Sequence, residues 1–186
     1  MYQIRLVISL VCFYILLANT AFSQDTVQQR IAIIASPASL VMGNYAKIKV
    51  RIQAELHSRF AVGTDVKYYF SKVYPGYQIL PFAKIFFREN NSKGLYVYVN
   101  VFYGQNKGLP EKNEKYYPCY GAGFGGGWQV LFGHSKRGIL DLALGLKGIE
   151  TKANISMRNV PDSYDDYYFI GPGSFVDGMI GIGYRF

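Results

Sequence analysis

Apolar and polar residues alternate with a period of two along most of this chain. In residues 47–56 the even positions hold Ile48, Val50, Ile52, Ala54 and Leu56, and the odd positions hold Lys47, Lys49, Arg51, Gln53 and Glu55. Successive side chains of a strand point to opposite faces, so this segment predicts a strand with one apolar and one polar face. The pattern recurs. Residues 60–70 put Phe60, Val62, Thr64, Val66, Tyr68 and Phe70 on one face, with Asp65 and Lys67 on the other. Residues 94–104 set Leu95, Val97, Val99, Val101 and Tyr103 against Tyr96, Tyr98, Asn100 and Phe102. Residues 138–147 set Leu140, Leu142, Leu144 and Leu146 against Asp141, Ala143, Gly145 and Lys147. The last segment sets Val176, Ile180, Ile182, Tyr184 and Phe186 against Asp177, Gly181, Gly183 and Arg185. Residues 78–88 and 119–132 are less regular but strand-like, and the apolar run 31–35 is a weaker first strand. The expected fold is therefore all-β with eight strands.

The connections add to this. From residue 56 onward they alternate in length: 57–59 short, 71–77 medium, 89–93 short, 105–118 long, 133–137 short and 148–166 long. Transmembrane barrels have short periplasmic turns and longer external loops, so the alternation fits an up-and-down antiparallel transmembrane β-barrel with both termini on the periplasmic side. Residues 36–45 then fall on the external side. An even number of strands closes without an edge.

Alternation alone does not say which face is outside, because a soluble barrel alternates with its apolar face inward. Three features favour lipid outside. Aromatics cluster near the strand ends of the apolar face: Phe60, Tyr68, Phe70, Phe87, Tyr103, Tyr120, Phe132, Tyr184 and Phe186. Such girdles belong at the two membrane interfaces. The opposite face carries glycine and both signs of charge. Its cations are Lys47, Lys49, Arg51, Lys67, Lys84, Arg88, Lys147 and Arg185, and its anions are Glu55, Asp65, Asp141 and Asp177. Eight strands leave only enough room for side chains to fill the lumen, so these ions are expected to pack as a network instead of lining a wet pore. Lys49, Arg51, Glu55, Asp65, Lys67, Asp141, Lys147 and Arg185 are its candidate members. The third feature is the ending Gly-Ile-Gly-Tyr-Arg-Phe, an alternating strand that stops on an aromatic residue.

Composition narrows the class. The chain has 186 residues, half of them apolar, with 17 Tyr, 13 Phe and 20 Gly, which excludes disorder and argues against a helical bundle. Two cysteines exclude a disulfide scaffold. Arg5 followed by apolar residues 6–17, interrupted only by Ser9, and then Ala21 and Ser23 at signal-peptidase spacing, predict a secretory signal over 1–23 with cleavage after Ser23. Twelve helical residues span about 18 Å, short of the ~30 Å membrane core, so a transmembrane anchor is the poorer reading. Val11 before Cys12 disfavours a lipoprotein, and Cys119 is left alone in the mature chain, residues 24–186. No later segment approaches eighteen continuous apolar residues.

The alternating end, with Ile180, Ile182, Tyr184 and Phe186, resembles the C-terminal assembly signal of bacterial outer-membrane barrels, which the barrel-assembly machinery recognises. Further stretches are Ser39-Leu40-Val41-Met42-Gly43-Asn44, Tyr69-Phe70-Ser71-Lys72, Gly121-Ala122-Gly123-Phe124 and Leu140-Asp141-Leu142-Ala143-Leu144-Gly145. With the Gly-Tyr-Arg-Phe end, and in that order over residues 39–186, they resemble a family of small eight-stranded outer-membrane proteins of unknown function from Gram-negative bacteria. The family pattern places an acidic residue at the end of its second strand, and Glu55 is the counterpart here. The resemblance implies a fold and an outer-membrane address; it supplies no activity.

The remaining motifs have plain readings. Gly121-Ala122-Gly123-Phe124-Gly125-Gly126 satisfies G-x-G-x-x-G, but a dinucleotide fingerprint needs a helix to follow, and residues 128–132 continue as strand. Glycine at alternate positions instead leaves room in a narrow barrel for larger opposing side chains. His57-Ser58 and His134-Ser135 could in principle activate a nucleophile. Both fall in short turns on the expected periplasmic side, away from the outer leaflet where lipid-modifying chemistry would sit, and adjacent turn residues rarely hydrogen-bond productively. Two distant histidines and one mature cysteine give no metal cluster. A net charge of +8 without a continuous Lys/Arg stripe does not point to nucleic acid. Lys107, Lys112 and Lys115 are interleaved with Glu111 and Glu114 in a mixed loop that could meet lipopolysaccharide phosphates. Tyr116, Tyr117 and Tyr120, with Tyr164, Tyr167 and Tyr168 beside Asp162, Asp165 and Asp166, are expected at the external rim.

The expected protein is thus a non-enzymatic outer-membrane barrel that presents external loops. It would carry no cofactor, and its partners would be membrane lipid, lipopolysaccharide and, during biogenesis, the assembly machinery. The alternatives are an outer-leaflet lipid-modifying enzyme and a secreted soluble barrel holding an apolar ligand.

Overall fold

A computed structural model describes residues 30–37, 46–70, 75–87, 94–107, 116–151 and 171–186. The expected signal segment 1–23, Arg88, the stretches 39–44 and 71–72, and the loop residues 111–115 and 162–168 lie outside the described residues. Eight strands form: β1 (Arg30–Ser36), β2 (Lys47–His57), β3 (Phe60–Tyr69), β4 (Gly76–Phe86), β5 (Gly94–Lys107), β6 (Tyr116–Phe132), β7 (Gly138–Thr151) and β8 (Val176–Arg185). Each pairs antiparallel with its sequence neighbour, and β1 pairs with β8, so the sheet closes on itself in the order β1 to β8. The closing ladder runs from Ala32 opposite Arg185 to Ala35 opposite Ile182. The end of the barrel where β1 starts and β8 stops is called the terminal end here, and the opposite one the loop end.

The period-two pattern reads out as predicted. Along β2, Lys49, Arg51, Gln53 and Glu55 are buried, while Ile52 is exposed. Along β5, Tyr96, Tyr98, Asn100 and Phe102 are buried, while Leu95, Val97, Val99 and Val101 are exposed. Polar side chains therefore fill the interior, and the apolar faces of the strands point outward. The irregularity of the fourth segment has a local cause. Pro81 has no N–H to donate, and the β4–β5 register passes from Ile79 opposite Tyr103 to Phe82 opposite Asn100, leaving Leu80 and Pro81 without a partner in that ladder.

The lengths of the connections depart from expectation. β5, β6 and β7 run further toward the loop end than their hydrophobic alternation does. Gln105, Asn106 and Lys107 pair with Pro118, Tyr117 and Tyr116, and Cys119 pairs with Thr151. The connection expected over 105–118 shrinks to residues 108–115. At the other end β4 stops at Phe86, so the short turn expected over 89–93 extends over 87–93 and is longer than 70–75. The alternation of short and long thus fails at that pair. A backbone ladder needs only N–H and C=O groups, whereas alternation in sequence persists only where one face must be apolar. The tightest turn, at residues 58–59, follows a register shift between Glu55 and His57.

The glycines of β6 have the expected role. Tyr96, Tyr98, Asn100 and Phe102 of β5 sit opposite Gly127, Gly125, Gly123 and Gly121. A Cβ on Gly127 would land on the Tyr96 ring and the Leu142 carbonyl, and one on Gly121 would meet the Phe102 ring at 2.8 Å. Each large side chain lies over the bare backbone of its neighbour, which is how three aromatic rings fit inside so narrow a barrel. Two apolar clusters fill the remaining volume. Ala32, Ile34, Leu131, Ile139 and Met179 form one, and Ala61, Phe86, Tyr96 and Tyr98 the other; Ala143 packs against both.

Candidate functional site: the charged lumen

The only dense gathering of chemically active side chains among the described residues is inside the barrel. Strand alternation aims Lys49, Arg51 and Glu55 inward from β2, Asp65 and Lys67 from β3, Asp141 and Lys147 from β7, and Arg185 from β8. All eight predicted members are buried there, none more than 7% exposed. They are joined by Lys84 of β4 and Asp177 of β8, which belong to the same face.

Three layers result. In the centre, Arg51 forks onto Asp65 through Nε at 2.6 Å and Nη2 at 2.8 Å. Its third arm, Nη1, donates to Asp141 at 2.8 Å, and the guanidinium stacks 4.6 Å from the Phe82 ring centroid. Lys84 Nζ also donates to Asp141, at 2.9 Å, and to the Gln53 side-chain oxygen at 2.8 Å. The Tyr96 hydroxyl donates to the second Asp141 oxygen at 2.6 Å. Two cations thus meet two carboxylates, with bidentate geometry at one of them, which is the arrangement that offsets desolvation best.

At the terminal end Arg185 Nη1 lies 3.5 Å from Glu55 Oε2, and its Nη2 donates to the Lys136 carbonyl at 3.0 Å. At the loop end the proportions change. Lys67 donates to Asp177 at 2.6 Å; Lys49 lies 3.4 Å from Asp177 and 3.0 Å from Asp65. Lys147 reaches no carboxylate among the described residues. Its Nζ lies 5.3 Å from the Phe102 centroid and donates to the Pro172 carbonyl at 3.4 Å.

Pro172 belongs to a feature that alternation does not foretell. Residues 171–174, just before β8, are buried. They turn back on themselves through Ser174 N to the Gly171 carbonyl at 3.1 Å, and Lys147 N donates to the Phe175 carbonyl at 2.8 Å. Gln78 Nε2 holds the Pro172 carbonyl at 2.8 Å and lies 3.7 Å from Cys119 Sγ, which in turn donates to Asn106 Oδ1 at 3.2 Å. Gln78 falls on an inward position by phase, whereas Asn106 lies in the stretch expected as a connection and is placed only by the longer β5. Pro172 carries no such signal, because its side chain does not make the contact.

The two His–Ser pairs are in turns at the terminal end. Against expectation, Ser58 Oγ and His57 Nδ1 do hydrogen-bond, at 3.2 Å, but the pair is on the surface and no third group orients it among the described residues. His134 and Ser135 are exposed in the turn closed by Lys136 N to the Gly133 carbonyl. The G-x-G-x-x-G stretch is mid-strand in β6, with no helix after it. Among the described residues no helix is long and apolar enough to cross a membrane, a criterion that says nothing of strands. No group of three or more His, Cys, Asp and Glu suited to a metal occurs among them.

On the outward face, Ile180, Ile182, Tyr184 and Phe186 of the predicted assembly signal are all exposed, with the Tyr184 and Phe186 rings edge to face at 5.2 Å. Compared with known proteins, the chain matches no family model, no curated protein and no solved structure.

Proposed function

We propose that this chain is an integral outer-membrane β-barrel of a Gram-negative bacterium, exported by a cleaved signal peptide, that works without enzymatic chemistry by anchoring itself in the membrane and presenting loops from one end. The observation that carries the reading is the inverted polarity of the closed barrel. Six cations and four carboxylates are buried inside, while Leu144, Phe124, Val99 and Ile180 on the outer face are 58–66% exposed. Continuous exposed apolar surface on this scale is a liability in water and a requirement in lipid. Aromatic residues sit at both margins of that surface: Tyr68, Phe70 and Tyr120 toward the loop end, Phe87, Phe132, Tyr184 and Phe186 toward the terminal end. The resemblance to small outer-membrane barrels of unknown function supports the same reading, as does the aromatic C-terminal strand that the assembly machinery would read. The partners are then membrane lipid and lipopolysaccharide. The rival soluble barrel needs an open apolar cavity for its ligand, whereas this interior packs ten buried ionisable side chains around two small apolar clusters.

Fractionation of the native protein, with boiled and unboiled gel migration on the same samples, tests this. Detergent-extracted outer membrane holding a band whose migration changes on boiling is the expected result. Release into the periplasm as a soluble protein overturns it.

A further inference from the structure

Among the described residues the lumen's charges do not balance, and the imbalance sits in one place. Arg51 and Lys84 match Asp65 and Asp141, and Arg185 matches Glu55. Lys49 shares Asp65 with Arg51 and Asp177 with Lys67, and Lys147 reaches no carboxylate among the described residues. These lysines are 3%, 1% and 5% exposed, and Lys47, half-buried at the same end, adds to the repulsion on Lys147. A buried cation without a carboxylate, as Lys147 is among the described residues, is costly unless an anion joins it.

The same end shows where an anion would bind. The Pro172 carbonyl oxygen accepts from both Gln78 Nε2 and Lys147 Nζ, a two-donor cradle of the kind an oxyanion occupies, here filled by a neutral backbone acceptor at 2.8 and 3.4 Å. The longer contact is that of the charged donor. Beyond Gln78 the chain of contacts runs through Cys119 to Asn106, whose Nδ2 is buried and has no hydrogen-bond partner.

We propose that the loop end of the lumen is an anion-binding site, in which Lys147 and Gln78, backed by Lys67 and Lys49, hold one phosphate or carboxylate group in the place taken here by the Pro172 carbonyl. Residues 171–174 then act as the resident competitor, lifted out when the anion binds. Backbone oxygen carries only a partial negative charge, so a full anion gains more from the lysines than the carbonyl does.

The test uses the full folded barrel, with inorganic phosphate and, separately, micelles of a phosphorylated lipid as probes. Saturable binding of either is read by phosphorus-31 line broadening. Loss of one charged donor should weaken it about tenfold or more in Lys147→Met, and Gln78→Leu should weaken it less. Arg137→Gln, on the exposed turn at the other end, should leave it unchanged. Unboiled gel migration verifies that each variant is folded, and Lys67→Met provides an independent arm should Lys147→Met fail that check. Binding of inorganic phosphate points to a free anion, and binding of the lipid alone to a headgroup. Absence of saturable binding of both, or binding that folded Lys147→Met and Lys67→Met retain in full, overturns the proposal.

Discussion

In the central layer of the barrel Arg51 and Lys84 face Asp65 and Asp141, two cations to two carboxylates. At the loop end Lys67 and Lys49 hold Asp177, Lys49 also reaching Asp65, and Lys147 meets no carboxylate among the described residues. Both oxygens of each central carboxylate are engaged: Asp141 takes Arg51, Lys84 and Tyr96. Lys147, by contrast, has a carbonyl and a ring face. The same residue types thus make a closed structural unit in one layer and an open, charge-hungry one in the other. The difference teaches that a lumenal ion network is not uniformly structural: where its proportions balance it ties strands together, and where they do not it has capacity for a ligand.

Asp141→Asn is the harshest challenge to the central layer. It leaves Arg51 and Lys84 buried against a neutral amide, and breaking a buried pair from one side costs about 3–5 kcal/mol. Urea unfolding of the refolded barrel should show a loss of that size; a small change would mean that the central layer is no more tightly bound than the loop end. The outer face is next. Leu144→Arg, midway along β7 and 66% exposed, should cost about 2–4 kcal/mol in lipid. The same unfolding experiment in vesicles reads it, and an unchanged midpoint would contradict the lipid-facing assignment itself.

Gly127→Ala should cost about 1–3 kcal/mol, because the new methyl meets the Tyr96 ring that completes Asp141's shell. Coupling to Asp141 is the sharper readout: in a double-mutant cycle the alanine should cost less once Asp141→Asn leaves a single oxygen for Arg51, Lys84 and the Tyr96 hydroxyl to share. Smallest in magnitude and opposite in sign is Lys147→Met in anion-free buffer. Removing a buried cation without a carboxylate should be neutral, or stabilising by up to about 1 kcal/mol. A loss as large as that of Asp141→Asn would erase the distinction between the two layers.

How far the sequence reaches can be read from individual residues. Phase alone places Lys49, Arg51, Asp65 and Lys67 inward, and Asp141 and Lys147 on β7 likewise. Which of them meet was not legible. Arg51 finds Asp65 at a sequence separation of 14 across one hairpin, but Asp141 at 90, and Lys49 finds Asp177 at 128. Those pairings depend on how the eight strands stagger around the barrel, and no local pattern encodes it. The inward face of β1 was not legible either. Ala32 and Ile34 sit in an apolar run without alternation, so their place in an interior cluster with Ile139 and Met179 appears only once β1 has closed against β8.

What the sequence determined by itself is everything that follows from a two-residue period. It marks eight strands, the inward face of those that alternate, and the run of glycines that leaves room for large opposing side chains. That period is a property of the extended backbone and acts wherever one face must be apolar. The tertiary structure alone decided where the strands end beyond the apolar band, which ions share a layer, and that residues 171–174 fold into the loop end to offer Lys147 a carbonyl. These depend on closure, which brings residues distant in sequence within hydrogen-bond reach and takes their charges out of water together.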